Sequence, residues 1–182
     1  MTDEGKIKNR GEWLREIVAP MSCKRGIELG THLAGFAESI LKDGNVAHLH
    51  CVDPWTGQFY KSQDPEERYN KAIIRLWKYK DRVTVMRDTS LNVAGQFETG
   101  EFDFVYLDAL HRYEYPDGSG CNADILTYWD KVASGGIFAG HDYYSRHECG
   151  VVRAVTEFEE RTGLKVQVTT GDRHPTWWVI KP

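Results

Sequence analysis

The chain has 182 residues, 41% of them hydrophobic, and its 17 glycines bring the apolar share near the half typical of a globular domain, which excludes a disordered chain. A net charge of -4 and an isoelectric point near 6.0 argue against a nucleic-acid partner, because phosphate binding needs a basic face. No run of about 18 apolar residues suggests a membrane span, and the opening MTDEGKIKNRGEW lacks the apolar core of a secretion signal.

The predicted elements alternate between strand and helix. A helix is expected first, around Gly11 to Val18, within an N-terminal extension of residues 1–23; residues 24–182 form the core of a single domain. Lys24 to Leu29 reads as an apolar strand ending at Gly30. Ala34 to Lys42 is helical, with Phe36, Ala37, Ile40 and Leu41 on one face. Ala47 to Val52 is the next strand. Asp64 to Lys80 is a helix with Tyr69, Ala72, Ile73, Leu76 and Trp77 at helical spacing. Arg82 to Met86 is a third strand, Ser90 to Phe97 a short helix, and Phe102 to Leu107 a fourth strand. A turn-rich loop, Tyr115 to Gly120, precedes a helix from Ala123 to Val132 whose stripe is Ile125, Leu126, Trp129 and Val132. Gly136 to Gly140 is a fifth strand, and Val151 to Arg161 a helix. Leu164 to Thr169 and Thr176 to Ile180 close the chain as a hairpin around the turn-like stretch Thr170 to Pro175. The expected fold is therefore α/β: a Rossmann-like, mostly parallel sheet with helices on both faces and an antiparallel last strand pair.

In such a sheet, ligands sit at the carboxyl ends of the strands, so the polar residues there are the ones to weigh. The first strand ends in IELGTHLAGF. Gly30 and Gly35 either form an ordinary strand-to-helix turn or allow a ligand close to the backbone at a helix start, where Glu28 would repel a pyrophosphate but suit a ligand carrying an amine. The second ends in HLHCVDPW. Asp53 is placed either to accept from ribose hydroxyls or to cap the loop before Pro54, and Trp55 could stack on a base. At the third, Asp88 either faces an adenine amine or caps the helix from Ser90. The fourth ends in FDFVYLDALHRYEY, where Asp108 and His111 share a tight turn, and the fifth in GGIFAGHDYY, with His141 and Asp142 adjacent. Neighbouring strands would bring Asp108 beside Asp142. Such carboxylates repel unless a cation lies between them, which suits Mg²⁺ or another hard divalent ion, with His141 as a ligand or a supporting group.

The segments IELGTHLAGF, CVDPW, FDFVYLDALHRYEY, SGGIFAGHDYY and GVVRAVTEF, in that order, resemble the class I S-adenosylmethionine-dependent methyltransferases. The branch they are most similar to is that of the small metal-dependent O-methyltransferases of the macrocin and rhamnosyl type. The resemblance covers residues 24–180. The D-x-x-H-x-Y stretch followed by G-G-I-x-x-G-H-D carries its specificity. It implies a seven-stranded sheet with the seventh strand antiparallel between the fifth and sixth. It also implies that Glu28 and Gly30 hold the methionine end of S-adenosylmethionine, Asp53 its ribose, and that Asp88 lies near the adenine. Asp108 and Asp142 match the metal carboxylates and His111 the general base. His141 stands where relatives often carry a further acidic ligand.

The expected reaction is metal-assisted O-methylation of a sugar or small phenol. The metal lowers the pKa of the acceptor hydroxyl, and a near-neutral base removes its proton. Residues 1–23, the insert between Trp55 and Glu66, and the loop Tyr113 to Gly120 with Tyr113, Tyr115 and Tyr143 are the candidate walls. A site this open also suits an acceptor held partly by a second subunit of a homo-oligomer. Cys23, Cys51, Cys121 and Cys149 form no C-x-x-C pair and are read as free thiols of a reducing, cytoplasmic compartment. Six tryptophans and nine tyrosines serve either core packing or an aromatic-walled pocket. Other readings stay open: methyl transfer by His111 without metal, a nicotinamide-dependent oxidoreductase (against which the absence of G-x-G-x-x-G counts), a phosphohydrolase, and a non-catalytic cofactor-binding module.

Overall fold

The computed structural model describes residues 6–56, 64–144 and 149–182. Its elements in chain order are α1 (Arg10–Trp13), which runs on through a π turn (Leu14–Val18) and a 3-10 turn (Ala19–Met21), then β1 (Arg25–Leu29), α2 (Gly35–Asp43), β2 (His48–Val52), α3 (Pro65–Leu76), β3 (Val83–Met86) and α4 (Ser90–Ala94). The second half adds β4 (Phe102–Leu107), α5 (Cys121–Trp129), β5 (Val132–Gly140), α6 (Val151–Thr162), β6 (Gln167–Val168) and β7 (Trp177–Ile180). The sheet has the order β3-β2-β1-β4-β5-β7-β6. Strands β1 to β5 are parallel, and β7 runs antiparallel to both β5 and β6. This is the seven-stranded mixed sheet expected from the sequence. The order in which strands are added reverses between β1 and β4, so the crevice for a ligand opens at their carboxyl ends.

The period-2 alternation of the strands splits the core into two layers. On one face Phe104, Tyr106 and Trp178 meet Trp13, Ile40, Leu41, Ala72 and Leu76 of the N-terminal helix, α2 and α3. On the other face Val105, Phe138 and Trp177 meet Val93, Ile125, Tyr128, Val155 and Phe158 of α4, α5 and α6. The adjacent Trp177 and Trp178 thus anchor opposite layers. Trp13 packs its ring 5.7 Å from Tyr106 and 6.1 Å from Trp178, which seals the N-terminal extension onto the sheet.

Several boundaries differ from the sequence reading. Val132 opens β5 rather than closing α5, because the pairing of β4 with β5 slips between Phe102 and Phe104 and lets the strand start early. Leu126, expected in the buried stripe of α5, is exposed, and so is Trp77, which leaves the α3 axis where the helix tightens into a 3-10 segment at Trp77–Arg82. β6 is only two residues long. Trp13, Trp55, Trp177 and Trp178 are all fully buried, so these tryptophans serve packing rather than an open pocket wall. Among the described residues no helix is long and apolar enough to cross a membrane.

Gly140 ends β5 directly against the buried Trp177 ring: a Cβ there would lie 2.7 Å from its Nε1 and 2.8 Å from its ring carbons. Gly140→Ala is expected to destabilise the fold by about 1–3 kcal/mol through overpacking. Chemical denaturation measures this, and an unchanged midpoint would show that Trp177 can move aside.

Candidate active site

The turn after β1 carries three residues at positive φ, Gly30 (89°), His32 (49°) and Ala34 (58°). Gly30 is required twice over. Its φ favours glycine, and a Cβ would fall 2.1 Å from the Asp108 carbonyl oxygen, inside the turn after β4. The Ala34 amide donates to the Thr31 carbonyl at 2.7 Å, and His32 is held by Asp53, which directly follows β2. Its Oδ2 accepts from the His32 amide at 2.8 Å and its Oδ1 from the Trp55 amide at 2.7 Å, while Trp55 Nε1 donates to the His32 carbonyl at 2.7 Å. Asp53 therefore ties the first two strand-end turns together. Burial pushes its pKa up, and the two amides pull against that. Two bonds leave lone pairs on a carboxylate that can accept four, so a ribose role is compatible with this bracing. Trp55 is not a stacking platform: it is buried edge-on against Tyr69.

Glu28 sits on the same sheet face as Cys51 and Tyr106 and is 1% exposed. Its Oε2 has no hydrogen-bond partner among the described residues. Desolvation raises its pKa to about 8, helped by the nearby charge of Asp108 and opposed by Thr31 and Arg10. A buried carboxyl with an empty acceptor suits a cationic ligand group. Gly35 is the first residue of α2, whose N-terminus has no side-chain cap.

Asp88 stands apart. It accepts from the Thr89 amide and from Asn92 Nδ2, both at 2.7 Å, while Thr89 rather than Asp88 caps α4. No contact joins its side chain to the groups at β1, β4 or β5 among the described residues.

The strand ends of β4 and β5 do converge. The Asp108 amide donates to Leu29 and the His141 amide to Leu107, which sets the turns side by side. Asp108, His141 and Asp142 offer ligand atoms within 4.8 Å of one another. His141 Nδ1 lies 3.4 Å from Asp108 Oδ1, and Arg10 Nη1 lies 3.4 Å from Asp108 Oδ2. Asp142, at φ 55°, turns its carboxylate between two further histidines: His174 Nδ1 at 2.6 Å from Oδ1 and His111 Nδ1 at 3.0 Å from Oδ2. His111 thus joins the cluster expected from its spacing to Asp108, but through Asp142.

Arg10 and His174 were not singled out in the sequence. Nothing in the local pattern around Arg10 marks it. His174 had a topological signal: β7 is antiparallel to β5, so the residues just before β7 must return to the carboxyl end of β5. Of the expected walls, Tyr113 bonds Glu157 and lies under Arg153, which turns it toward α6. Residues 57–63, most of the insert after Trp55, lie outside the described residues, as do residues 145–148.

A family model described as a methyltransferase domain matches residues 24–143, and the chain belongs to that family. No curated protein matches the sequence. Among solved structures, the chain is similar to the methyltransferase PaMTH1 of Podospora anserina, solved with S-adenosylhomocysteine (16% identity, 95% of this chain and 78% of that one, TM-score 0.70). It is also similar to the O-methyltransferase TomG of Streptomyces achromogenes, of tomaymycin synthesis, solved with S-adenosylmethionine (15%, 95% and 80%, TM-score 0.65). An O-methyltransferase of Bacillus cereus in complex with S-adenosylhomocysteine matches at 16% identity over 94% of this chain and 80% of that one, with TM-score 0.66. At these identities the structures establish a shared fold, and the family match speaks against the oxidoreductase and phosphohydrolase readings.

The raised pKa of Glu28 makes stability depend on pH with a definite sign. Below its ordinary value of 4.5 the carboxyl is neutral in both folded and unfolded chains. Between there and about 8 only the unfolded chain ionises, so stability falls as pH rises, by at most about 1.4 kcal/mol per unit. Thermal melting from pH 5 to 9 should show a decline in the wild type that is shallower in Glu28→Gln; parallel curves would mean that Glu28 titrates normally.

Proposed function

We propose that the protein is an S-adenosylmethionine-dependent O-methyltransferase acting on a hydroxyl of a sugar or small phenolic acceptor, with a divalent cation at Asp108, His141 and Asp142 and with His111 as general base. The observation that carries this reading is the convergence of these four side chains at the carboxyl ends of β4 and β5, beside the buried acceptor of Glu28 at the end of β1. The S-adenosylmethionine seen with TomG, and the S-adenosylhomocysteine seen with the other two structures, support the choice of methyl donor.

S-adenosylmethionine supplies an electrophilic methyl group, and a divalent cation supplies Lewis acidity toward the acceptor hydroxyl. Glu28 is the group to receive the donor's ammonium, with Gly30 and Gly35 giving access to the backbone there. Asp53 keeps lone pairs for the ribose, and Asp88 is the acidic candidate on the adenine side. Two carboxylates and one imidazole within 4.8 Å form a donor set that a divalent cation can use. Mg²⁺ fits the carboxylates, and the imidazole extends the choice to ions such as Mn²⁺ that accept nitrogen. His111 directs Nδ1 to Asp142, which leaves Nε2 as the atom to take the hydroxyl proton. The chain's share of the work is then alignment and proton removal.

A second reading, His111 acting without metal, draws on a specific observation. Asp108 already faces Arg10 and His141, and Asp142 already faces His111 and His174, so both carboxylates are compensated by side chains.

Calorimetric titration with S-adenosylmethionine, with Mg²⁺ and then with EDTA, tests these readings on the wild type and Asp108→Ala. Micromolar donor binding and a Mg²⁺ binding heat that disappears in the variant are expected. Donor binding without any Mg²⁺ or Mn²⁺ heat would favour the second reading, and no donor binding at millimolar ligand would overturn both. With an acceptor found by screening catechols and sugars, His111→Ala should lower kcat by about 10²–10⁴-fold while donor affinity stays unchanged.

A further inference from the structure

We propose that Arg10 is the carboxylate-binding residue for the amino-acid end of the methyl donor, so that the N-terminal extension completes the donor site. This rests on the donor reading above and concerns a residue outside the matched segment, 24–143.

Arg10 is delivered on a fixed support. Its own amide donates to Asp172 Oδ2 at 2.7 Å, and the carbonyls of Ile7 and Lys8 accept from the amides of Thr170 and Gly171 at 3.0 and 2.7 Å. Trp13, one turn on, is fully buried against the sheet. From this base the guanidinium reaches over the ring of Phe36, 4.0 Å from its centroid. Phe36 lies in the first turn of α2, directly after the β1 turn.

The guanidinium has more to offer than its neighbours use. It makes one long contact to Asp108, 3.4 Å through Nη1 alone, and lies beside the Tyr106 hydroxyl. An arginine carries five donors in a fork that matches a carboxylate. Its side chain is about one-third exposed (32%), so a ligand can reach it. His141 Nδ1 lies 3.4 Å from the other oxygen of Asp108, so a ligand that draws Arg10 away leaves Asp108 a polar neighbour.

Two features place a zwitterion here rather than a simple anion. Glu28, which feels the charge of Arg10, is buried with Oε2 unpartnered. The N-terminus of α2, a nine-residue helix, has no side-chain cap and presents its positive end in the same region. A buried acceptor beside a guanidinium and a helix N-terminus is complementary to an ammonium and a carboxylate on one carbon. That is the α-amino acid group, and it is favoured over ligands that carry the amine alone.

The test is calorimetric titration of the wild type, Arg10→Ala and Arg10→Lys with S-adenosylhomocysteine and with its decarboxylated counterpart, which keeps the adenosine, sulfur and amine. The wild type should bind the carboxylate-bearing ligand about 10- to 100-fold more tightly than the decarboxylated one, the range of a charge-assisted hydrogen-bonded pair. Arg10→Ala should lose that discrimination with little change for the decarboxylated ligand, and Arg10→Lys should restore part of it. Equal weakening of both ligands would assign Arg10 to folding alone, a role that melting of the variants reports separately; unchanged discrimination in Arg10→Ala would also overturn the proposal. If neither ligand binds the wild type, the donor reading itself fails and the proposal falls with it.

Discussion

Four carboxylates, Glu28, Asp53, Asp108 and Asp142, are concentrated where β1, β2, β4 and β5 end, and much of the rest of the molecule is arranged around that charge. Parallel strands put these residues together because Glu28 is the last residue but one of β1, Asp53 and Asp108 directly follow β2 and β4, and Asp142 lies two residues past β5, all at the same edge of the sheet. Left alone, buried acidic groups at such spacing would repel one another or remain protonated. The fold answers each differently. Asp53 receives two backbone amides from a strained turn, Asp108 receives Arg10 and His141, and Asp142 receives His111 and His174. Among the described residues, Glu28 is the one of the four that keeps a buried carboxylate oxygen without a partner, and burial pushes its pKa up. The unbalanced position is therefore the informative one.

Two of the compensating groups, Arg10 and His174, come from opposite ends of the chain. The N-terminal segment supplies Arg10 and the β6–β7 turn supplies His174, and these two segments are themselves joined through Thr170, Gly171 and Asp172. The join depends on the aromatic layer beneath it, where Trp13 meets Tyr106 and Trp178. Packing and electrostatics are thus coupled. The same ring that buries the extension also positions a cation at the strand ends. A hairpin running back along β5 is what allows a residue so late in the sequence to reach Asp142.

Much of this was legible beforehand. Period-2 and helical patterns located the strands and the main helices, and the acidic strand ends followed from the rule that open α/β sheets bind at their carboxyl edge. The same rule singles out Glu28, Asp53, Asp108, His111, His141 and Asp142, and the fold brings these side chains to one edge of the sheet. Asp88 was placed by the same rule, yet its side chain serves the local loop. Trp55, which the sequence offers as a platform for a base, is buried, because a tryptophan after a strand can fold under the turn as readily as over it. The early start of β5 was hidden by a slip in register, which leaves no mark in a hydrophobic pattern.

The sequence by itself determined the α/β alternation, the strand ends that carry the acidic residues, and the local D-x-x-H and H-D pairs, since these depend on short spacing and burial period. Only the tertiary structure decided which partners those carboxylates have. Arg10 and Asp108, or His174 and Asp142, are far apart in the chain, and their meeting follows from sheet order and the antiparallel return of β7. Local pattern reports which face a residue presents; charge compensation across a sheet edge is a property of the closed fold.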